Sequence, residues 1–270
     1  MDDPRDDAAG GPVLTEVAGG LAVVTLNRPA TGNALDAELV GGLLGALAAV
    51  RDDDGVRAVV LTGAGDSFCV GRDPRERAGP AAGGPPSPGA TAAARLTPLT
   101  LLLAELPKPV VAAMTGVAAG AGLGLALACD LRVAAAGATL STGFTALGAS
   151  PDAGMSWTLP RLVGSARATA LLLLAEPCTT EHALEMGLVN AVVGAEDVRA
   201  VALGLGQRLA EGPTAAYSAV KAALLHAGSH DLASSLAEED RLRALVEATA
   251  DHVEGVRAAV AGETPRFTGS

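Results

Sequence analysis

Residues 107–141 read PKPVVAAMTGVAAGAGLGLALACDLRVAAAGATLS, with no charge between Lys108 and Asp130. An uncharged run of that length is enough to cross a bilayer. Pro109 and the glycines at 116, 120, 122 and 124 argue against a spanning helix, because they interrupt one and suit close backbone approach. The stretch reads instead as a buried strand VVAAM, a tight turn at Thr115 and Gly116, and a close-packed helix starting near Gly120. LRVAAAGATLS follows as two short strands hinged at Gly137. No membrane association is expected.

Upstream the chain also reads as strands and a helix, though no internal sequence repeat stands out. VLTEVAGGLAVVTLNRP reads as a hairpin around Gly19 and Gly20, with Leu21 to Leu26 an apolar strand ended by Pro29. Leu35, Leu39, Leu43, Leu47 and Val50 then recur at helical spacing, and VRAVVLTG, residues 56–63, is the next strand. Strand, helix, strand is the pattern of an α/β core. Pro and Gly crowd PRERAGPAAGGPPSPGATAAAR, so a mobile rim loop over 74–90 is expected to lead into a helix near 91–105. Beyond Gly164 the pattern is mostly helical: ARATALLLL, then TTEHALEM with Thr180 as N-cap, a last strand LVNAVV, and helices over 195–210, 213–227 and 231–250. The expected division is a core over 12–195 and a helical region over 196–270.

A chain of 270 residues fills one sizeable core, and with 2% aromatics that core must be built from Leu, Val and close backbone contacts. A net charge of -11, from 19 basic against 30 acidic residues, argues against a nonspecific nucleic-acid surface and leaves room for local anion sites. Cys69, Cys129 and Cys178 are odd in number and lack metal-ligand spacing, which fits reduced thiols in the cytoplasm. His182, His226, His230 and His252 form no metal motif either, so no metal is expected. MDDPRDDAAGG is acidic, unlike a signal peptide, and reads as a frayed tail.

Two glycine-centred turns follow buried strands, GDSFCVGRDP at 65–74 and GVAAGAGLGLALACD at 116–130. Such turns leave N–H groups unpaired, and a helix starting at the second adds its positive dipole end, so together they suit an oxyanion. Close packing alone also accounts for the glycines. Asp152, in ALGASPDAGMSW at 146–157, is the one charged residue from Val133 to Pro160. Ser-Pro-Asp-Ala-Gly suits a helix N-cap as well as a buried acid.

Taken together, NRPATGNAL, DSFCVGRD, the opening stretch, SPDAGMSWTLPRLVG and ALEMGLVNAVV resemble the crotonase, or enoyl-CoA hydratase/isomerase, superfamily over residues 13–265. The resemblance implies an α/β crotonase (ClpP-like) spiral of repeated ββα units with a helical C-terminal trimerisation region. It implies an acyl-CoA thioester substrate of fatty acid metabolism, with coenzyme A as carrier and no covalently bound cofactor, and a homotrimer or a hexamer made as a dimer of trimers. The two oxyanion-hole N–H donors fall on Arg72 and Ala121. Coenzyme A contacts fall on Arg28 and on Ser67, Phe68, Cys69, Val70 and Gly71. Asp130 falls on a structural aspartate.

The two glutamates common in the hydratases of this family fall on Gly124 and Phe144, so neither carboxylate is present. Asp152 resembles the aspartate of the double-bond-shifting isomerases, including those acting on ring-epoxide and oxepin CoA thioesters. One mobile carboxylate suffices for a 1,3 proton shift. Leu123, Gly124, Phe144, Leu147, Met155 and Trp157 are expected to line an apolar pocket that raises the Asp152 pKa and prefers a bulky acyl group. The position also resembles the nucleophile of the aromatic dehalogenases, which carry a tryptophan where Phe144 stands. Enoyl-CoA hydration and a noncatalytic acyl-CoA binding module are the alternatives.

Overall fold

The computed structural model describes residues 10–77 and 92–270. Its main sheet has six strands, β1 (Val13–Ala18), β2 (Leu21–Leu26), β3 (Ala58–Gly63), β5 (Val110–Met114), β7 (Leu131–Ala135) and β10 (Ala191–Val193), side by side in that order. β1 and β2 form the expected antiparallel hairpin, and β2, β3, β5, β7 and β10 run parallel. A smaller sheet holds β4 (Ser67–Cys69), β6 (Val117–Ala119), β8 (Thr139–Ser141) and β9 (Cys178–Thr179).

The helices are α1 (Ala37–Asp52), α2 (Pro74–Arg77), α3 (Ala92–Glu105), α4 (Ala121–Ala128), α5 (Met155–Val163), α6 (Ser165–Leu174), α7 (Thr180–Glu185), α8 (Val198–Ala210), α9 (Thr214–Ala227), α10 (Leu232–Glu247) and α11 (Ala250–Ala261). Each pass gives one strand to the main sheet and the next to the small sheet before a helix returns the chain: β3, β4 and α3; β5, β6 and α4; β7, β8 and α5. This is an α/β fold of repeated ββα units with a helical C-terminal region.

Strand alternation sorts the core into two layers. Val24, Leu26, Leu61, Ala112 and Met114 share one layer with Leu39, Leu43 and Leu47 of α1 and Leu99 and Leu103 of α3. Val60, Val111, Ala113 and Val133 face the other way, onto Val198, Ala202 and Ala210. A parallel sheet covered on both faces needs apolar residues at consecutive positions, which is why VVAAM does not alternate. α8 thus lies on the sheet, and the core continues past residue 195. Asp130 behaves as a tether: its Oδ2 accepts from Val110 N and from Lys221 Nζ, each at 2.7 Å, tying α9 to the sheet.

Several local expectations are corrected. Thr179, not Thr180, caps α7, its side chain accepting from His182 N, while Thr180 is buried and bonds Ala135 O. The helix expected over 231–250 is α10, which ends at Glu247, and Thr249 then caps a further helix not expected from the sequence, α11, through His252 N at 3.1 Å. Ser-Pro-Asp-Ala-Gly does precede a helix, α5, but its N-cap is Gly154. Of the expected rim loop, residues 74–77 form α2 and residues 78–90 lie outside the described residues. Among the described residues no helix is long and apolar enough to cross a membrane, and the uncharged run divides among β5, β6 and α4.

Candidate active site

β4 and β6 pair in parallel, Ser67 opposite Val117 and Cys69 opposite Ala118, so the turns that follow them emerge side by side. Gly71 has φ +97°, and a Cβ there would lie 2.9 Å from Ala119 O and 3.6 Å from Ala121 N. Only glycine permits both that conformation and that approach. Gly71 O accepts from Leu35 N at 2.8 Å, and Asp73 N donates to Leu35 O at 2.9 Å. In such a parallel bridge the intervening N–H, that of Arg72, points away from Leu35.

Ala121 opens α4, whose first internal bond runs from Gly124 N to Gly120 O at 3.0 Å. Its N–H therefore precedes the helical ladder. Neither Arg72 N nor Ala121 N donates to another described residue. Two backbone donors from adjacent turns, one at a helix N-terminus, are suited to a developing oxyanion.

The first turn is braced by Asn33, which the sequence reading missed. Fully buried at φ +57°, it donates through Nδ2 to Ala64 O at 2.9 Å and Ser67 O at 2.8 Å, and its Oδ1 accepts from Arg28 N at 2.9 Å. Its signal was an asparagine beside the glycine of NRPATGN, a residue tolerant of left-handed backbone. Asn33 O in turn accepts from Cys69 Sγ at 3.1 Å. Burial pushes the Cys69 thiol up to about 12, so this cysteine is a packing residue rather than a nucleophile.

Arg28, expected to contact coenzyme A, is committed within the protein. Its guanidinium meets Asp36 at 3.1 Å and Asp73 at 3.5 Å. The Asp73 carboxyl is held below the usual carboxylate range, chiefly by its hydrogen bond from Arg75, against the opposing effect of burial. Ser67 and Cys69 lie on β4 and Phe68 is fully buried, which leaves Val70, half exposed, as the side chain of that segment most open to solvent.

The two positions without carboxylates lie against the second turn. Phe144 is buried, its Cε1 3.9 Å from where a Cβ on Gly120 would stand. Gly124 faces Ala153: a Cβ at 124 would be 2.6 Å from Ala153 Cβ and 3.0 Å from Ala153 O. Asp152 precedes Ala153 and its Oδ1 is buried. It does not cap α5, whose N-cap is Gly154 without a side-chain bond.

The expected pocket is only partly assembled. Leu123 and Gly124 on α4 and Phe144 near Gly120 gather around the second turn. Leu147 is 68% exposed, near the end of α6, where the neighbouring Thr145 hydroxyl donates to Leu173 O. Met155 is fully buried in the core, and Trp157 is 39% exposed, beneath the Arg161 guanidinium at 4.0 Å. Residues two apart on a helix face opposite ways, so Met155 and Trp157 cannot both face one cavity. Among the described residues no three of His, Cys, Asp or Glu gather to hold a metal.

The sequence profile described as enoyl-CoA hydratase/isomerase matches residues 16–270. The chain is 39% identical to 1,2-epoxyphenylacetyl-CoA isomerase of Escherichia coli (strain K12), over 95% of this chain and 98% of that protein. It is 42% identical to a probable enoyl-CoA hydratase of Rhodobacter capsulatus, over 94% and 96% of the two chains. A crystal structure of a putative enoyl-CoA hydratase from Streptomyces coelicolor A3(2) superposes with a TM-score of 0.90 at 33% identity, covering 100% of both chains.

Proposed function

Because this chain belongs to the enoyl-CoA hydratase/isomerase family of acyl-CoA-processing enzymes, we propose that it shifts a carbon–carbon double bond in an enoyl-CoA, with Asp152 as its single acid–base. The observation that carries this reading is the Gly124–Ala153 contact. A glutamate at 124 would have to displace Ala153, position 144 is a phenylalanine, and the acid of this region is Asp152.

In the proposed reaction the Asp152 carboxylate takes a proton from C2 of a 3-enoyl thioester. The electron pair moves into an enolate whose oxygen accepts from Arg72 N–H and Ala121 N–H. Asp152 then returns the proton to C4, leaving the double bond between C2 and C3 and the carboxylate restored. Each donor aimed at the oxyanion contributes about 3 to 4 kcal/mol of transition-state stabilisation. The enzyme needs neither a second acid nor an activated water for this step. Binding of the coenzyme A portion is assigned to the backbone of residues 67–71.

Asp152→Asn should lower kcat at least about a hundredfold while KM stays near its original value, because it removes a group used mainly in the transition state. An unchanged kcat on the best substrate sinks the assignment. Hydration remains the second reading, favoured by the similarity to a probable hydratase. Turnover of a 2-enoyl-CoA in oxygen-18 water separates the two: label in a new 3-hydroxyl requires hydration, and double-bond migration carries none.

A trimer, or a dimer of trimers, is part of the proposal. It is supported by exposed apolar side chains on α9, α10 and α11, among them Val220, Leu224, Leu232, Leu236, Val253 and Val260. Light scattering tests it, and a monomer at micromolar concentration counts against it. A reducing, cytoplasmic setting fits the three free, buried cysteines.

A further inference from the structure

Ala153 is buried and left-handed at φ +49°, and Gly154 follows at +71°. A residue with a β carbon enters that region at a cost in strain, and the strain persists only where the surroundings fix the backbone. Two contacts fix it here. On one side the Ala153 methyl and carbonyl sit on Gly124 of α4, 2.6 and 3.0 Å from where a Cβ would be. On the other, Thr100 Cγ2 of α3 stands 3.0 Å from the corresponding point on Gly154. The turn that carries Asp152 is wedged between two helices.

We propose that Ala153 is a positioning residue: seated on Gly124, it sets where the Asp152 carboxylate stands relative to the donor turn that opens α4. Gly124 and Ala153 are then a reciprocal pair. Any side chain at 124 displaces Ala153, and displacing Ala153 moves Asp152, its neighbour by one peptide bond. The proposal rests on the reading of Asp152 as the acid–base and adds what holds it in reach.

The test compares kcat and KM of the wild type with D152N, G124A, A153G, G124A/A153G and D152N/G124A, using the fastest 3-enoyl-CoA of a chain-length series. G124A should lose about a hundredfold in kcat, the scale expected of a misplacement near 1 Å, with KM within about twofold. Removing the Ala153 methyl relieves the tighter contact, so G124A/A153G should regain at least about tenfold over G124A. Within the D152N background G124A should cause no further loss, because the group it displaces is gone. Glycine suits the left-handed position, so A153G should fold and lower kcat by freeing the turn. Should G124A fail to fold, restored folding in G124A/A153G supports the contact, and an unchanged kcat in A153G overturns the proposal. Full activity of G124A beside an impaired D152N overturns it alone, as does an equal loss from G124A in both backgrounds. Full activity of D152N defeats the acid–base reading itself.

Discussion

Arg28 stands between two acids, its guanidinium 3.1 Å from Asp36 and 3.5 Å from Asp73. Asp36 caps α1 by accepting from Leu39 N at 2.8 Å, and Asp73 follows Arg72, the proposed donor. One side chain therefore ties a helix start to the first glycine turn. Arg28→Ala removes the cation shared by Asp36 and Asp73, leaving Asp73 its pair with Arg75, which should cost about 1 kcal/mol of stability. It should also lower kcat more than it raises KM, since the Arg72 N–H loses its brace. Arg28→Lys keeps the charge without the fork and should fall between. Urea unfolding and steady-state kinetics check this, and wild-type stability in Arg28→Ala contradicts it.

Asp73 supplies a pH dependence with a definite sign. Its folded pKa lies below the model-compound value of 3.8, mainly because Arg75 hydrogen-bonds its charged form. A depressed carboxylate contributes fully above its unfolded pKa and loses that contribution as pH falls through the folded value. Stability should therefore decline below about pH 4, and Asp73→Asn should flatten that part of the curve. Denaturant midpoints between pH 2 and 7 decide it. An equal acid slope in the variant removes Asp73 from the account.

The thiols should be silent in the folded protein. All three cysteines are buried; burial pushes Cys69 and Cys129 up to about 12 and raises Cys178 as well. A thiol-specific disulfide reagent at pH 8 should label the native protein only as fast as it opens, and label all three in denaturant. Cys69→Ser keeps a donor toward Asn33 O and should retain most activity. Rapid native labelling of Cys69 with loss of turnover makes it an accessible site instead.

Much of this fold was legible because two signals are local: apolar periodicity and glycine punctuation. Leu39, Leu43 and Leu47 mark α1, and Gly137 marks the hinge between β7 and β8. That those two strands enter different sheets was not legible, since it depends on pairing with β6 and β10 far along the chain. The site divides in the same way. Arg72 and Ala121 could be singled out because their turns have a sequence form, and Asp152 because it is alone among apolar residues; their roles are those proposed above. Asn33 was missed because its partners, Ala64 and Ser67, lie over thirty residues away. Met155 and Trp157 are grouped as pocket lining on nearness in sequence alone, and the geometry of α5 turns them apart.

On the proposed reading, Phe144 walls the acyl site and sets the substrate preference. The absence of a glutamate at 124 opens no volume, because Ala153 fills it. What remains is an aromatic ring beside Gly120, next to the proposed donor Ala121, where a charged side chain would resist an apolar acyl group. A ring-bearing 3-enoyl-CoA should therefore be preferred to a four-carbon one through contact with that ring. Each apolar increment of the acyl group contributes about 1 to 3 kcal/mol, so kcat/KM should rise in steps rather than switch. Phe144→Leu keeps the wall apolar and removes the aromatic face. It should cost aryl substrates about 0.5 to 1.5 kcal/mol more than straight chains, a selective loss of roughly two- to twelvefold. A kinetic series from four carbons to aryl-substituted chains, run on both proteins, measures each part. An optimum at four carbons contradicts the ring preference, and an equal loss on all substrates removes Phe144 as its cause while leaving Asp152 as the proposed base.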